Sequence, residues 1–577
     1  MLLNRLRYIS PRSIVTYVHT QKKCIAMNTA YYQQKLQETP LPDSVSEQFT
    51  TTEVFSARPV PMIINNNNDA VVLSFDEVPG PKSLKYLSVL RQYLNQVGTQ
   101  LTAGAISLGF SLGSLINNGK ALKKFSTFFD EYGPVVRFVS PVGNDVVLIN
   151  NPDHIKKVFV MEGEFPVRST LDSLEKYRTD HRNHFYAGLF NLHGEQWTRQ
   201  RNAVIEPLGK CMSQQICGIN EICNSFSDKL YSMRNYQDEV TTDVYQEIHK
   251  WAFDCMGLII FSRKFSMIET DKVYSQCDMS WFYYSLKKAT EAINKCESGM
   301  QLWKFMPTPA WNNLVKYCDS LENLIGKQVL RAEQTAARGI DNEMGSESLI
   351  NSESGLKTED VTTIIMDMLL LGVSTISTSM TFMLYYLATY KRIQKALYDE
   401  VSKINVDNMN KNELIKNTPY LQACIKETLR LAPPIPVLTR ILPKNIVLDK
   451  YNIPSGTLVI MSTQDASLKE TNYDDAEKFY PERWLSHDAL LYHDFASIPF
   501  GSGAKQCMGR NVAETTMTLL AVKVGILQFL FTSSIDHVSQ QLFLIFSFIA
   551  QFTLLWTLAD IPTKLILKVA PHACNSC

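Results

Sequence analysis

Hydrophobic residues recur along the middle of the chain with the three- to four-residue spacing of helices. From about residue 150 to residue 430 this spacing predicts a mostly helical region. The longest helix is expected over Glu359 to Tyr390, where EDVTTIIMDMLLLGVSTISTSMTFMLYYLATY is apolar on nearly every side. A helix that is apolar all round is usually buried. This segment is therefore predicted to be the central helix of the fold.

Short apolar segments on either side of the helical region predict a small amount of β-structure. YGPVVRF and DVVLINNPDHIKKVF are expected to form two strands and then a helix with Pro152 in its first turn. Further on, NIVLDKYNIPSGTLVIMST predicts a pair of strands joined by a Pro-Ser-Gly turn. The expected fold class is mainly α with small β-sheets (α+β).

Two uncharged segments do not follow these patterns. Gln92 to Asn118 is rich in Gly, Ser, Thr and Asn, so it is only a weak candidate for a membrane span. Val538 to Ala559 (VSQQLFLIFSFIAQFTLLWTLA) is uncharged and heavily apolar. It is compatible with a buried strand pair, a C-terminal membrane helix or wrongly translated sequence.

The first 37 residues are basic and lack carboxylates, since Glu38 is the first acidic residue of the chain. Leu2, Leu6 and Ile9 fall on one face of a short helix, which Pro11 would end. This pattern is typical of a mitochondrial transit peptide at residues 1–37, with a disordered basic tail as the alternative.

The overall charge excludes one class of partner. Lysine and arginine together number 57, and so do aspartate and glutamate, so the net charge is zero and no nucleic-acid partner is indicated. The 12 cysteines lie at irregular spacings that favour neither a zinc site nor a disulfide framework. Most are expected to be reduced, buried thiols.

One cysteine differs from the others in its surroundings. FASIPFGSGAKQCMGRNVAETT (residues 495–516) places Cys507 among glycines, just before a predicted helix. The positive end of a helix favours a thiolate, and glycines let the backbone approach a flat ligand. Phe500 can cover the sulfur and exclude water, which sets the redox behaviour of a bound metal. These features suit an axial ligand to haem iron, and a buried structural cysteine is the alternative.

The spacing F-x-x-G-x-x-x-C-x-G is complete at Phe500, Gly503, Cys507 and Gly509. It resembles the haem-binding signature of the cytochromes P-450, the haem-thiolate monooxygenases, and the similarity continues into GRNVAE. The family usually has Arg or His two residues before the cysteine, where this chain has Lys505. Lysine keeps the positive charge for a haem propionate but lacks the planar fork. The resemblance implies the cytochrome P-450 fold, with haem b between the central helix and the cysteine loop.

Other parts of the family pattern occur in the expected order. The resemblance implies that Trp197 and Arg201, in WTRQR, and Arg440, in PVLTR, bind the haem propionates. A buried structural lock behind the haem loop is expected from Glu427 and Arg430 of ETLR and Arg483 of FYPERW. Without the family context, ETLR would be an ordinary helical ion pair and WTRQR an amphipathic helix face.

The central helix departs from the family pattern A/G-G-x-D/E-T-T. The matching segment places Gly372 where oxygen and substrate approach the helix, and Thr375 where the family's hydrogen-bond donor to dioxygen stands. Ser374 replaces the acid that normally relays protons, and a hydroxyl can pass a proton but cannot store one. Asp367, about 10 Å away along the helix, would help only through ordered water. A plain core helix is the alternative.

The basic leader favours the mitochondrial members of the family. EGEFPVRSTLDSLEKYR (Glu162 to Arg178) and CESGMQLWKF (Cys296 to Phe305) also resemble animal, especially insect, mitochondrial members. Such enzymes face the matrix side of the inner mitochondrial membrane, with peripheral contact, and take electrons from an adrenodoxin-type ferredoxin and its NADPH-dependent reductase. Their ferredoxin-docking surface has two lysines one turn apart. Lys426 matches the second, and Gln422 replaces the first.

The activity implied by the resemblance is insertion of one oxygen atom from O2 into a lipophilic small molecule, either a steroid, an ecdysteroid-like compound or a xenobiotic. The thiolate of Cys507, as iron ligand, favours O–O cleavage. Two alternatives remain open because the central helix lacks its acid. One is a haem-thiolate isomerase or dehydratase that needs no external electrons, and the other is a haem-binding protein with impaired or no turnover.

The expected domain organisation follows from these assignments. Residues 38–75, with their run of asparagines, form a polar linker, and residues 76–577 form the catalytic domain. Within that domain, residues 531–554 are an anomalous apolar insertion. LFLIFSFIAQ is what a pyrimidine-rich stretch would encode, which suggests a retained intron that ends near Gln551. A genuine insertion is the rival hypothesis.

Overall fold

The computed structural model describes residues 72–81, 125–139, 145–235, 239–240, 243–269, 278–297, 301–337, 356–404, 411–486, 491–526 and 567–568. The chain divides into two compact units, Met1–Asp69 and Ala70–Cys577, and every described residue belongs to the second. The predicted transit peptide, most of the polar linker and both anomalous uncharged segments lie outside the described residues.

Helices make up most of the described residues, as the hydrophobic spacing predicts. In chain order they are α1 (Phe125–Tyr132), α2 (Pro152–Met161), α3 (Asp172–Lys176), α4 (Gly194–Gln214), α5 (Ile216–Ser232), α6 (Val244–Phe261), α7 (Asp278–Glu297), α8 (Pro309–Ala337), α9 (Thr358–Thr389), α10 (Lys391–Val401), α11 (Lys411–Asn417), α12 (Pro419–Leu431), α13 (Thr463–Ser467) and α14 (Arg510–Ile526). A π-helical turn, Tyr177–His181, extends α3.

The longest helix, α9, lies at the centre of the helical layer, which confirms the prediction for Glu359 to Tyr390. It packs against α6, α8 and α12, and its side chains are mostly buried along its length. Among the described residues, only α9 is long and apolar enough to cross a membrane, and 67% of its most apolar part is buried in the protein. Burial inside the core accounts for this composition without a membrane.

Within the part of the chain that the structure describes, the strands form three small sheets. They are β1 (Val135–Phe138), β2 (Val146–Ile149), β3 (Glu239–Val240), β4 (Val437–Ile441), β5 (Ile446–Leu448), β6 (Tyr451–Ile453), β7 (Leu458–Ser462) and β8 (Leu567–Lys568). The largest sheet has the order β1-β2-β7-β4, in which only the β2–β7 pair is parallel. Its β2 and β7 strands are buried almost throughout, and they pack against α2 in a second apolar cluster. The mainly α fold with small sheets is therefore confirmed.

The strands around the Pro-Ser-Gly turn pair differently from the prediction. The hairpin is formed by β5 and β6, which turn at Asp449, a residue with a left-handed φ of 55°. The Pro-Ser-Gly segment instead leads from β6 into β7, which pairs with β2 and β4 in the larger sheet. Because β7 is apolar at its first four positions, it is buried between two strands. The predicted pair joined by the Pro-Ser-Gly turn is thus wrong.

A buried ionic network joins α12 to the segment that precedes the cysteine loop. The carboxylate of Glu427 accepts hydrogen bonds from Arg430 Nε (2.9 Å) and from Arg483 Nε (3.0 Å). It also accepts one from Trp484 Nε1 at 2.8 Å. The Glu427 and Arg430 side chains are fully buried, and Arg483 is 1% exposed. One carboxylate thus holds two buried guanidinium groups together.

Backbone carbonyls complete this network. Arg430 Nη1 donates to the oxygens of Ser467 and Ala476, both at 2.7 Å. Arg483 Nη1 donates to the oxygen of Asp474 at 2.9 Å. Since buried guanidinium groups need partners for all their N–H groups, the network fixes residues 467–484 against α12. The chain then continues into the cysteine loop from a fixed starting point.

Replacement of Glu427 by glutamine should destabilise the protein by about 3–5 kcal/mol, because two buried guanidinium groups would lose their shared negative charge. The measurement is urea unfolding followed by circular dichroism. The matched control is Glu206→Gln on α4, where Glu206 pairs with Lys210 at 3.2 Å but is 75% exposed. That change should cost less than about 1 kcal/mol. Equal losses in the two variants would contradict the structural role of the network.

Candidate active site

The glycines of the cysteine loop give its backbone the shape that presents Cys507. Gly501 and Gly503 have φ angles of 70° and 71°, in the left-handed region that other residues rarely adopt. The Cys507 N–H donates to the oxygen of Phe500 at 2.9 Å, and the Gln506 N–H donates to the oxygen of Gly503 at 3.1 Å. The loop is therefore folded back on itself immediately before α14.

The sulfur of Cys507 is accessible, yet it is enclosed by protein. Its side chain is exposed, whereas desolvation by surrounding atoms raises the pKa of the thiol. We infer from these two observations that the sulfur faces an enclosed space inside the protein. The N–H of Gly509 and the positive charges of Arg201, Arg168 and Arg510 act in the opposite direction on the pKa. These groups are placed to stabilise a thiolate.

Phe500 and Gly509 flank the sulfur in different ways. Phe500 packs against the main core, and the Arg510 guanidinium lies over its ring at 5.3 Å from the centroid. At Gly509 an added Cβ would lie 3.9 Å from the Cys507 sulfur, an ordinary contact distance. The described atoms therefore do not by themselves require glycine at 509. Its predicted role, close approach to a flat ligand, remains a prediction.

Glu162 lies directly beside Gly503. An added Cβ at Gly503 would lie 2.1 Å from Glu162 Oε1, so the end of the Glu162 side chain would have to move, and the φ of 71° also favours glycine here. Glu162 follows α2 and accepts a hydrogen bond from Arg440 Nε through its other oxygen. Arg440 also lies over the Phe159 ring at 4.7 Å. Glu162 thus connects the cysteine loop to β4, a contact that the spacing of the motifs does not predict.

Trp197, Arg201 and Lys505 meet beside the loop. Trp197 is buried on the first turns of α4. The Lys505 ammonium lies 4.2 Å from its ring centroid, and the Arg201 guanidinium lies at 5.5 Å. Arg201 Nη2 donates to the oxygen of Gln506 at 2.8 Å, and Lys505 Nζ donates to the oxygen of Leu192 at 2.9 Å. Burial and the nearby arginines lower the pKa of Lys505 to about 7.

The structure adds Arg168, which the motif analysis does not assign to the site. Desolvation, with Arg440 and Arg201 as further causes, lowers its pKa to about 10. Its Nε is buried and has no hydrogen-bond partner among the described residues. Arg168 and Glu162 both lie in EGEFPVRSTLDSLEKYR, the segment with mitochondrial resemblance. That resemblance is the signal that marks them, since neither belongs to a recognisable spacing motif.

These residues fit the haem b that the resemblance implies. Four basic side chains, Arg168, Arg201, Arg440 and Lys505, lie close together: the three arginines lower the pKa of Lys505, and Arg440 and Arg201 also lower that of Arg168. Glu162 forms an ion pair with one of them, Arg440. A buried excess of positive charge is costly unless anions join it. The two propionates of haem b would supply those anions, and the thiol of Cys507 would supply the donor atom for iron.

The hydroxyl groups of the central helix are bonded to the backbone of the helix itself. Thr375 Oγ1 lies 2.9 Å from the oxygen of Leu371 and 3.2 Å from that of Gly372, so its single proton is directed at helix carbonyls. Ser374 is buried, and its Oγ donates to the oxygen of Leu370 at 3.4 Å. Either hydroxyl must rotate before it donates elsewhere. The predicted catalytic roles of both residues remain predictions.

Gly372 allows close packing between α9 and α6. An added Cβ would lie 3.1 Å from Met256 Cε, so the end of the Met256 side chain would have to shift slightly to admit a larger residue. This contact gives the glycine a packing role. Its predicted role in access for oxygen and substrate is a separate proposal that this contact does not test.

The nearest carboxylate on the preceding turns of α9, Asp367, is held by other groups. Its Oδ1 pairs with Arg178 Nη2 at 2.7 Å, and its Oδ2 accepts the Phe190 N–H at 3.0 Å. Both oxygens therefore have partners, and the side chain is 7% exposed. Asp367 thus belongs to a structural contact in addition to any role in proton delivery.

On the outer side of α12, the two positions of the predicted docking surface differ. Lys426 is exposed to solvent. Gln422 is half-buried, and its Nε2 donates to Thr418 Oγ1 at 3.2 Å and to Thr518 Oγ1 at 3.1 Å. The glutamine therefore braces α12 against α14. The change from lysine to glutamine is explained by this inward contact.

The low pKa of Lys505 predicts a pH dependence of haem retention. Propionate carboxylates would raise this pKa above the value of about 7 that it has in the protein alone. The contribution of Lys505 to haem affinity is then complete below about pH 7 and is lost as the pH rises through the raised value. Haem release to apomyoglobin should accelerate accordingly as the pH rises above about 7.

The control for this prediction is Lys505→Arg, which keeps a positive charge over the whole range. Its release rate should depend less on pH than that of the unmodified protein, whereas Lys505→Met should release haem fast at every pH. Identical pH profiles for the lysine and arginine forms would contradict the assignment.

Comparisons with known proteins agree with this geometry. The family model described as Cytochrome P-450 matches residues 106–540. The chain is 27% identical to the probable cytochrome P-450 49a1 of Drosophila melanogaster, over 83% of each chain. It is 29% identical to the mitochondrial 1,25-dihydroxyvitamin D(3) 24-hydroxylase of Mus musculus, over 71% of this chain and 79% of the relative. The probable mitochondrial cytochrome P-450 12b2 of Drosophila melanogaster is 28% identical, over 78% of this chain and 83% of its own length.

Among solved structures, the fold is similar to that of retinoic acid-bound cyanobacterial CYP120A1. The TM-score is 0.58 at 19% identity, over 71% of this chain and 87% of the other. This similarity supports the fold. Together with the family match over most of the chain and the cysteine loop, it shows that the chain belongs to the cytochrome P-450 family of haem b-containing monooxygenases, with relatives of the mitochondrial type.

Proposed function

We propose that the protein is a mitochondrial monooxygenase that inserts one oxygen atom from O2 into a lipophilic substrate, such as a steroid, an ecdysteroid-like compound or a xenobiotic. The observation that carries the proposal is the enclosed but accessible thiol of Cys507, surrounded by basic groups and placed before α14. Haem, when bound, supplies the iron that activates dioxygen. The relative from Mus musculus acts, by its name, on a lipophilic vitamin.

The residues of this chain have separate tasks in the proposal. Cys507 binds iron as a thiolate, while Phe500 and Gly503 keep its loop in shape. Trp197, Arg201, Arg440 and Lys505 hold the propionates and so fix the orientation of the cofactor. Thr375 moves a proton towards the oxygen site when its hydroxyl leaves the helix carbonyl. The Ser374 hydroxyl can pass a proton but cannot hold one as a carboxylate does. This difference predicts slow proton delivery.

The proposed electron source is NADPH, through a ferredoxin reductase and an adrenodoxin-type ferredoxin. The exposed Lys426 supports this partner because it matches one of the two lysines on the ferredoxin-docking surface that the resemblance implies. The relatives named as mitochondrial support a mitochondrial location. With a matrix-side location, the enzyme and this electron chain share one compartment.

Peripheral contact with the inner mitochondrial membrane is supported by the connection between α7 and α8. Leu302, Phe305 and Met306 are 47%, 66% and 56% exposed. Neighbouring apolar side chains at this exposure are typical of a surface that meets a lipid or protein partner. In the proposal this connection rests on the membrane, from which a lipophilic substrate enters.

A second candidate function is favoured by Ser374. Because the usual acid is replaced by a buried hydroxyl bonded to Leu370, a haem-thiolate isomerase or dehydratase without external electrons is the alternative. Substrate-dependent NADPH consumption with ferredoxin and reductase supports the monooxygenase. Conversion of a substrate with haem but without reductase supports the alternative.

Replacement of Cys507 by serine should abolish the thiolate-type spectrum. Reduced, carbon monoxide-treated protein should show the strongly red-shifted Soret band, and Cys507→Ser should lose it because an alcohol does not supply a thiolate. The matched control is Cys217→Ser, a free exposed thiol on α5, which should keep the band. An unchanged band in Cys507→Ser would overturn the proposed iron ligand.

Restoration of the family's acid should accelerate proton delivery. Ser374→Asp is expected to raise NADPH consumption coupled to product several-fold, since general acid–base groups typically contribute about 10²- to 10⁴-fold. Ser374→Asn is the control, as it has the same size but no acid. Thr375→Val should divert electrons to hydrogen peroxide, measured per NADPH consumed. If Ser374→Asp and Ser374→Asn give the same rate of NADPH consumption coupled to product, slow proton delivery does not limit turnover.

A further inference from the structure

Three aromatic side chains on α6 and α7 carry buried polar atoms that have no role in the haem site. Tyr245 and His249 lie one turn apart on α6, with ring centroids 6.0 Å apart, and the Tyr283 ring of α7 lies 5.5 Å from that of His249. Tyr245 Oη, His249 Nδ1 and Tyr283 Oη are shielded from solvent and have no hydrogen-bond partner among the described residues. Because an unbonded polar atom in the interior is unfavourable, a cluster of three indicates a function other than stability.

The Tyr245 end of this cluster meets the central helix near the proposed oxygen site. Helix α6 packs along α9. Burial raises the pKa of Tyr245, and a contact with the Thr378 hydroxyl on α9 acts in the opposite direction. This contact is not a complete hydrogen bond, since Tyr245 Oη has no partner at bonding geometry in the described part of the chain. Thr378 follows Thr375 by three residues, so the two threonines are neighbours on the helix surface.

The hydroxyl of Thr378 can accept a proton from Tyr245 and pass one on. Its Oγ1 is bonded to the oxygen of Ser374 at 2.9 Å, so its own proton points at the helix and its lone pairs are open to a donor. Thr375 and Thr378 are both half-buried, whereas Ser374 is buried. The two threonines therefore line the same accessible side of α9, and Thr378 connects Tyr245 with the place where Thr375 would act.

The other end of the cluster leads from His249 towards the surface. Burial, with the charge of Lys287 as a further cause, lowers the pKa of His249 to about 3, so the imidazole is neutral. A neutral imidazole has one N–H and one lone pair, so it can take a proton at one nitrogen and release one from the other. Lys287 is half-buried, and its Nζ donates to Gln246 Oε1 at 3.5 Å. The row of polar groups thus runs from the surface near Lys287 to the central helix.

We propose that Tyr245 is a proton-relay residue that passes protons from His249 to the Thr378 hydroxyl, and that this route replaces the acid missing at position 374. The inference rests on the proposed monooxygenase function. For each proton that moves inward, the Tyr245 O–H bond breaks while a new one forms with a proton from His249, which takes its own from water. Dioxygen receives two electrons from the proposed donor and two protons by this route, and it ends as the inserted oxygen atom and water. Every relay group is neutral before and after the transfer.

The experiment measures the ratio of water to hydrogen peroxide that the purified holoprotein forms from O2 with ferredoxin, its reductase and NADPH, without added substrate. Slow proton delivery lets dioxygen leave as hydrogen peroxide before the O–O bond is broken. In Tyr245→Phe the ratio should fall about 10-fold, less than the roughly 10²-fold or more of a direct proton donor, because water can partly replace a hydroxyl. Tyr283→Phe is the matched control, since it removes a buried phenol oxygen of the same cluster, and its ratio should be unchanged. An equal fall in both variants would show a structural effect and overturn the relay.

The role of Thr378 is tested by removal and restoration of its hydroxyl. Thr378→Val should lower the ratio as Tyr245→Phe does, and Thr378→Ser should restore it. Thr381→Val is the control, because the Thr381 hydroxyl makes the same kind of bond to the helix, to the oxygen of Ser377 at 2.8 Å, away from Tyr245. The Tyr245→Phe/Thr378→Val protein should have a ratio no lower than either single variant. Multiplicative effects would show that the two hydroxyls act independently and would overturn the relay.

The outcomes separate this inference from the proposed function itself. If the unmodified protein gives no red-shifted band with carbon monoxide, or consumes no NADPH with ferredoxin and reductase, the proposed function fails and the relay with it. If the unmodified protein is active and Tyr245→Phe keeps the ratio of water to hydrogen peroxide, only the relay fails. If Tyr245→Phe does not fold, as shown by circular dichroism, Thr378→Val decides. An unchanged ratio in that variant overturns the inference.

Discussion

The proposed iron site depends on the placement of a thiol in the protein interior. Burial raises the pKa of the Cys507 thiol, so a thiolate at this position needs favourable interactions that offset its desolvation. The Gly509 N–H and the charges of Arg201, Arg168 and Arg510 act in that direction, although burial has the larger effect on the pKa. These groups come from parts of the chain that are far apart in sequence. The packing around the cysteine loop brings these groups close to the Cys507 sulfur.

The ionic network at Glu427 serves this placement indirectly. It uses a fully buried carboxylate to hold two arginines, and these arginines bind the carbonyls of the segment before the cysteine loop. Such a network contributes little net stability compared with apolar packing, but it is intolerant of the loss of one partner. It therefore fixes one arrangement of the chain, and the loop begins from a defined position.

The polar side chains of the central helix α9 are bonded within the protein. Its middle carries hydroxyl groups that are bonded to the helix carbonyls, and no acid stands at the position before Thr375. Its nearest upstream carboxylate on that face, Asp367, is committed to Arg178 and to the Phe190 peptide. Proton delivery in this enzyme is thus proposed to depend on hydroxyl rotation and water. The carboxylate of Asp367 instead stabilises the segment around Phe190.

Much of the local structure could be predicted from sequence because it depends on neighbouring residues. The apolar length of α9, the strands before Pro152 and the glycines of the cysteine loop follow from helix periodicity, strand patterning and backbone sterics. The pairing of β7 could not be predicted in this way. Its partners, β2 and β4, are chosen by burial in a shared core, and the Pro-Ser-Gly turn leaves that choice open.

The same division applies to the site. The sequence by itself predicted Cys507 as the iron ligand and determined the family, because the spacing of the loop matches the family's haem-binding signature. Only the tertiary structure decided that Glu162 occupies the space beside Gly503 and that Arg168 joins the basic group. It also decided that Asp367 bonds the Phe190 peptide. Long-range charge pairing has no spacing rule along a chain, since it is set by how helices and loops pack in three dimensions.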